Sequence, residues 1–413
     1  MRTDPTELHW IQTQADAMRR DVIRWADINS GSYHLPGLTR MLDTLEAEFA
    51  SLGGERRRIQ LPPASEIDAH GNVVEHPLGE ALLVRKRPDA RVRVLLNIHY
   101  DTVYGPTHPF QRAEMIDPDT CRGPGVVDAK GGIVVMLTAL RALERTAVAG
   151  QLGWEVLLNP DEEIGSPGSA ALLREAAARN HVGLVFEPAM RDGSLVGQRK
   201  GSGNLTAVVR GRAAHAGRDF AAGRSAILAL ADLIGRIDAI GSTGLTASQT
   251  GMPDVTINCG RIEGGGATNI VPDLAIGRFN VRVSTAAQQH SVEQAFRTIA
   301  ADVAQRDGIT IALHGGFTSP PKPLDARSAH LMDHIITCGR DIGLSLTHGP
   351  SGGTCDGNKL AAAGLPVVDS LGPVGGDLHS DREYLHVPSL VERAKLTALL
   401  LMKLASGEIA PPA

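Results

Sequence analysis

Cysteine is scarce in this chain and has no pattern. Its four cysteines, Cys121, Cys259, Cys338 and Cys355, lie far apart, and no two form a CxxC pair. That excludes a structural zinc knuckle and points to free thiols in a reducing compartment. Long apolar runs are missing as well. No segment approaches the roughly 18 uninterrupted apolar residues of a membrane span. The stretch from Met1 to Asp27 carries charge throughout and holds no apolar run of signal-peptide length. A cytoplasmic protein with no membrane partner is expected. There is no long basic run either, and the formal net charge is −5, which argues against a nucleic-acid partner. Internal repeats and low-complexity tracts are absent. What remains is ordinary for a soluble globular protein: 413 residues, 42% apolar and 21% charged, enough for two domains and a large core.

Helical and strand patterns alternate. Residues 7–29 place Leu8, Ile11, Ala15, Met18, Val22 and Trp25 at helical spacing. Residues 37–52 repeat the pattern, and Gly53-Gly54 stops it. Strands at 80–86, 92–98, 154–159 and 183–187 then alternate with helices at about 130–146 and 167–180. The segment 104–124, rich in Pro, Asp, Gly and Thr, reads as a loop over the strand ends. The expected fold class is α/β, a largely parallel sheet flanked by helices. The pattern changes near 195. Strands at 203–211, 254–262, 274–284 and 308–314, with helices at 223–239 and 291–306, predict a small α+β module with both helices on one face. After Pro320-Pro321-Lys322-Pro323, helices at 326–342, 356–363 and 388–405 and strands at 344–348 and 366–370 resume the first pattern. The chain therefore reads as a catalytic domain, 1–197 and 315–413, interrupted by an inserted domain at 198–314.

The first-pattern strands end in polar groups. The apolar run Arg93–Ile98 leads into His99-Tyr100-Asp101. Strand side chains alternate faces, so His99 and Asp101 can point the same way. Polar groups there need partners, and a metal on His99 with Asp101 orienting its imidazole supplies them. Asp128, Glu162-Glu163, Glu187 and His379 are also expected at strand ends, where ligands gather in open α/β sheets. Two histidines and three carboxylates, one of them bridging, suit a pair of Zn²⁺ ions. Such a pair polarises a carbonyl and lowers the pKa of a water to about 7. Adjacent residues face opposite ways, so one of Glu162 and Glu163 can ligate while the other carries the proton. Alone, Glu-Glu is most simply a solvated surface pair. The strand before it and Gly165-Ser166-Pro167-Gly168-Ser169 after it favour a site.

The motifs resemble those of the zinc aminoacylase and carboxypeptidase family that includes glutamate carboxypeptidase, acetylornithine deacetylase, succinyl-diaminopimelate desuccinylase and peptidase T. They are His99-Tyr100-Asp101-Thr102-Val103, Gly123-Pro124-Gly125-Val126-Val127-Asp128-Ala129-Lys130-Gly131-Gly132, Asp161-Glu162-Glu163-Ile164-Gly165-Ser166, Phe186-Glu187-Pro188, Gly211-Arg212-Ala213-Ala214-His215-Ala216-Gly217, Thr268-Asn269-Ile270-Val271-Pro272, Gly352-Gly353-Thr354-Cys355-Asp356-Gly357 and Leu378-His379-Ser380. They stand in the family's order from about 80 to 390. The resemblance implies a zinc-peptidase-like catalytic domain with an inserted ferredoxin-like lid and dimerisation domain. It implies two Zn²⁺ per subunit, with Co²⁺ or Mn²⁺ as substitutes. Asp128 would bridge them, His99 and Glu187 completing one ion, Glu163 and His379 the other. Glu162 would be the general base and Asp101 the partner of His99. The peptide after Asp128 would be cis. In a homodimer, His215 would reach the partner's site and stabilise an oxyanion. Asn269, Arg282, Gly352, Gly353 and Thr354 would bind substrate, Arg282 as a carboxylate clamp.

The implied activity is hydrolysis of a small amide substrate, an N-acyl amino acid or a C-terminal peptide-like molecule. A carbamoyl or ureide amidohydrolase on the same scaffold is the alternative, and an idle binding protein a third. The run Pro366-Val367-Val368-Asp369-Ser370-Leu371-Gly372 is most similar to glutamate carboxypeptidase. The chain departs from that enzyme at Ser194 and His314-Gly315-Gly316, which stand where it has its glutamate-gripping lysine and arginine. Arg191, Arg199 and Lys200 are nearby substitutes. Simpler readings stay open. His215 could sit in a turn, Arg282 on a strand surface, and Asn269 could cap a turn before Pro272. Cys355 reads as a small buried residue. Gly264-Gly265-Gly266 lacks the context of a phosphate loop.

Overall fold

The computed structural model describes residues 5–242 and 254–412. Its larger part is built on a six-stranded sheet. In spatial order the strands are Glu55–Gln60, Glu80–Lys86, Leu152–Asn159, Val92–His99, Val182–Val185 and Val367–Val368. The first two pairings are antiparallel and the other three parallel. Parallel neighbours need long crossovers, and the helices Gly131–Glu144 and Ala170–Arg179 provide two of them. Because Val92–His99, Leu152–Asn159 and Val182–Val185 run parallel, their carboxyl ends share one edge. His99 lies opposite Asn159, and Asn97 opposite Val185. That register delivers His99, the Asp161–Glu163 turn and Glu187 to the same place.

Alternation along the central strand buries both faces. Val94, Leu96 and Ile98 join a core with Trp25, Leu137 and Leu401. Leu95 turns the other way, against Leu157, Val185 and Leu173. The helix Gly131–Glu144 is apolar nearly all round and is correspondingly buried. Its first turn lies on the end of a strand. A Cβ at Gly132 would come within 2.2 Å of the Phe186 carbonyl, so only glycine lets the helix start this close to Glu187.

The inserted part is a four-stranded antiparallel sheet in the order Val255–Gly264, Leu274–Val283, Gly201–Arg210, Thr310–Ser319. The helices Ala226–Ser242 and Ala286–Val303 cover one face, packing Leu230, Leu233, Val292 and Phe296 on Leu205, Val209, Phe279 and Val281. Thr285 and Gln288 form a reciprocal capping box that starts the second helix.

Several segments differ from the sequence expectation. The first helix is two, Pro5–Thr13 and Ala15–Ala26. The supposed loop 104–124 contains strands Glu114–Asp117 and Thr120–Arg122, which form a small sheet with Gly375–Gly376 and Tyr384–His386. The strand placed at 344–348 lies at His348–Ser351, parallel to Leu195–Arg199. The last strand of the insert runs on to Ser319, past the expected end at 314. A hairpin, Ala64–Ile67 with Val73–His76, was not foreseen. It lies on the open face of the inserted sheet, where Ile67 packs with Val208 and Ile276 and Arg278 donates to the Ile67 carbonyl at 2.7 Å. Short strands with distant partners leave little local signal, because their stability comes from neighbours and not from the segment itself. Among the described residues, no helix is long and apolar enough to cross a membrane.

Candidate metal centre

Each donor is placed by the end of a regular element. His99 closes its strand. Asp128 sits in the irregular segment Val126–Lys130 that opens the helix Gly131–Glu144, and its peptide to Ala129 is cis, as the resemblance implied. Glu162 and Glu163 share one tight turn beyond Leu152–Asn159. Glu187 follows Val182–Val185. His379 comes from a loop and holds φ at 60°, the left-handed region that non-glycine residues seldom adopt.

The fold brings all five side chains together. His99 Nε2 lies 3.1 Å from Asp128 Oδ1 and 3.8 Å from Glu187 Oε1. His379 Nε2 lies 3.4 Å from Asp128 Oδ2 and 3.1 Å from Glu163 Oε2. Asp128 is thus central and turns one oxygen to each histidine. Donor atoms of His99, Asp128 and Glu163 all lie within 4.8 Å of one another.

Asp101 is fully buried and has more partners than the sequence suggested. Its Oδ1 lies 3.2 Å from His99 Nδ1 and accepts the Glu162 N–H at 3.2 Å. Its Oδ2 accepts the Ser32 hydroxyl at 2.7 Å and the Glu163 N–H at 3.2 Å. The Asp101 backbone carbonyl also lies 3.1 Å from His99 Nδ1. One carboxylate therefore holds both His99 and the turn that presents the two glutamates.

The electrostatics are those of a site short of positive charge. Burial pushes Glu187 up to about 8 against the pull of His99. Burial also raises Glu163 and carries Glu162 well above the ordinary carboxylate range, with the charge of Glu187 adding to it. Burial works against a charged His99, yet hydrogen bonds to Asp101 and Asp128 hold its pKa well above normal. Hydrogen bonds to Asp128 and Glu163 lift His379 to about 11. Asp128 runs opposite to its burial, held low by His379 and His99. Two imidazoles and three carboxylates on one centre are a donor set that divalent metal fits, and such a metal would be held by deprotonated ligands.

The other expected site residues lie elsewhere. His215 and Asn269 meet on a short ladder that pairs Ala214 with Val271 and His215 with Ile270, and the Ala216 N–H donates to the Asn269 carbonyl at 2.8 Å. Both side chains are exposed. Arg282 is half-buried, its Nε donating to Asn280 at 3.1 Å and its Nη1 lacking a partner among the described residues. Gly352 and Gly353 are exposed on a loop, Thr354 is half-buried, and Cys355 is buried as expected. Among the described residues, no hydrogen bond or ion pair joins His215, Asn269 or Arg282 to the five.

Sequence reasoning missed much of the surrounding shell. Asp356 accepts from Asn159 at 2.7 Å, from Lys359 at 3.1 Å and from Ser166, bracing the Gly352–Cys355 loop against the glutamate turn. Its motif was visible but carried no role. Glu383 lies buried beneath the Asp128 segment, and nothing in His379-Ser380-Asp381-Arg382-Glu383 sets it apart from a surface acid. Arg191 pairs with Asp377 at the surface. Arg199 is tied to Asp369 at 2.8 Å, reaches the Gly353 carbonyl at 3.4 Å and keeps an Nε with no partner among the described residues.

A model of the peptidase family M20/M25/M40 matches residues 95–403, a span that encloses every donor from His99 to His379. The chain belongs to this family. It is 27% identical over 400 residues to carboxypeptidase G2 of Pseudomonas sp. strain RS-16, covering 95% of this chain and 90% of that one. It is 32% identical over 319 residues to the "Probable carboxypeptidase" of Aspergillus clavatus, covering 71% and 68%. Among solved structures, it is similar to an M20 family metallo-carboxypeptidase from Sulfolobus solfataricus, with a TM-score of 0.72 at 17% identity, covering 94% and 99%. That likeness bears on the fold, which is the family's α/β domain with an inserted α+β domain.

Proposed function

We propose that the protein is a metal-dependent hydrolase that cleaves an amide bond next to a free carboxylate, in an N-acyl amino acid or a small C-terminal peptide-like substrate. The observation that carries the proposal is the clustering of five side chains: His99 and His379 each face one oxygen of Asp128, Glu187 lies beside His99, and Glu163 lies beside His379. His99 and Glu187 would hold one Zn²⁺, Glu163 and His379 the other, with Asp128 shared. When bound, the pair supplies Lewis-acid polarisation of the scissile carbonyl and acidifies water. Glu162 takes the proton of the attacking water and returns it to the leaving nitrogen. Asp101 keeps His99 in one tautomer and fixes the Glu162–Glu163 turn while this happens. The Nη1 of Arg282, with no partner among the described residues, suits a substrate carboxylate, and the carboxypeptidase relatives favour the same bond. The test is hydrolysis of N-acetyl amino acids, dipeptides and folate-type substrates with and without chelator. Activity on at least one class, lost with the metal and restored by Zn²⁺, is expected. Full activity after metal removal would sink the mechanism.

A homodimer through the inserted domain, taken as 198–314, belongs to the same proposal. His215 is exposed and, among the described residues, no hydrogen bond or ion pair joins it to the metal donors, which suits a role at the site of a second copy. Phe220, Leu228 and Ile270 are exposed and line one groove beside it, an apolar surface suited to an interface. Leu228→Glu is expected to give monomers by light scattering and to lower kcat by the factor that His215→Ala does. A fully active monomer would remove His215 from the partner's site.

A further inference from the structure

We infer that Glu383 is a positioning residue for the metal centre: its carboxylate clamps the Gly125–Asp128 segment to the loop that carries His379, and so sets the spacing at which Asp128 meets both histidines. The inference rests on the metal reading above.

Glu383 is 1% exposed, and three backbone N–H groups and one hydroxyl face its carboxylate. Its Oε1 accepts the N–H groups of Val127 and Asp128, each at 3.1 Å. Its Oε2 accepts the N–H of Gly125 at 3.0 Å, and the Tyr104 hydroxyl lies 2.9 Å away. The segment it grips is irregular. Gly125 is left-handed at φ 72°, and Asp128 has φ −117° and ψ 88°, so no regular ladder serves these N–H groups. Buried N–H groups must find acceptors, and here one carboxylate provides three. Glu383 also belongs to the histidine loop. Its own N–H donates to the Ser380 carbonyl at 3.1 Å, and its carbonyl accepts the Gly123 N–H at 3.2 Å. The Tyr104 hydroxyl lies 2.8 Å from the Ser380 carbonyl and so touches both sides of the clamp.

The chemistry selects glutamate. Three of the four groups facing the carboxylate are backbone N–H donors spread over both oxygens, so the side chain must accept at both. Glutamine would turn an NH₂ group toward backbone N–H or the tyrosine hydroxyl and lose at least one of these bonds. What the clamp holds is the residue shared by the two halves of the centre and the histidine at its rim. Removing a partner of this kind behind a metal ligand typically costs about 10–100-fold in metal affinity.

The test is a titration of metal-free protein with Co²⁺ alone. Visible absorption reports the ligand geometry, and competition with a chelator gives the affinity. Glu383→Gln is expected to keep its far-UV circular dichroism while binding Co²⁺ about 10–100-fold more weakly with a changed spectrum. Tyr104→Phe, which removes the hydroxyl that touches both Glu383 and the Ser380 carbonyl and leaves the carboxylate, is expected to lose several-fold. A Glu383→Gln protein that folds and binds Co²⁺ as tightly as wild type, with the same spectrum, overturns the inference. Should Glu383→Gln fail to fold, Tyr104→Phe decides: unchanged affinity overturns it and a several-fold loss supports it. Wild-type protein that binds no Co²⁺ would sink the metal reading, and this inference with it.

Discussion

Glu162→Gln should lower kcat by about 10²–10⁴, the usual worth of a positioned general acid–base, while bound metal stays the same. The side chain keeps its size, so the turn and its hydrogen bonds to Asp101 survive. Those bonds come from the backbone N–H groups of residues 162 and 163, which the substitution leaves in place. What disappears is the ability to take a proton. Burial and the neighbouring charge of Glu187 push the Glu162 carboxyl upward. The loss should therefore fall equally on kcat and kcat/KM, the signature of an interaction made only in the transition state. Steady-state kinetics and metal analysis on the same preparation decide it. A Glu162→Gln protein with wild-type kcat would remove the proposed base, and one that had lost its metal would reassign Glu162 as a ligand.

Asp128→Asn should empty the centre. Of the five side chains, Asp128 is the one that makes an ion-pair contact with each histidine, at 3.1 Å and 3.4 Å. Asparagine keeps the shape but replaces one oxygen with an NH₂ group that cannot ligate, and it removes a charge that two cations need. Metal retained after dialysis should fall below half of the wild-type amount. Activity should drop by more than the ~10–100-fold seen when only an outer partner of a ligand is lost. The fold should survive, because Glu383 grips the backbone of residues 125–128 and not the Asp128 side chain. Metal content, activity and circular dichroism measured together test this. Full metal content with undiminished turnover would show that Asp128 is not shared.

The donors were legible because their signals are local. A buried strand that ends in His99, or an apolar run that ends before Glu162-Glu163 or Glu187, is readable from a dozen residues, since burial and alternation operate at that range. Parallel pairing then had to bring those ends to one edge, and the register of His99 with Asn159 does so. Asp101 was half legible. Its place beside His99 follows from strand periodicity, but its hold on the glutamate turn does not. The hairpin at Ala64–His76 and the small sheet that uses Glu114–Asp117 were not legible, because each depends on segments far away in the chain.

By itself, then, the sequence determined the fold class, the family motifs and which side chains are candidates for a metal. Each of these is written in residue type and short-range spacing. Tertiary structure alone decided which acids lie near those side chains and what keeps them in place. Glu383 makes the difference plain. It is separated from Gly125 by 258 residues and bonds to backbone N–H groups that every residue but proline possesses. Such contacts leave no mark on residue type at the donor, so only the folded chain shows which carboxylate meets which amide.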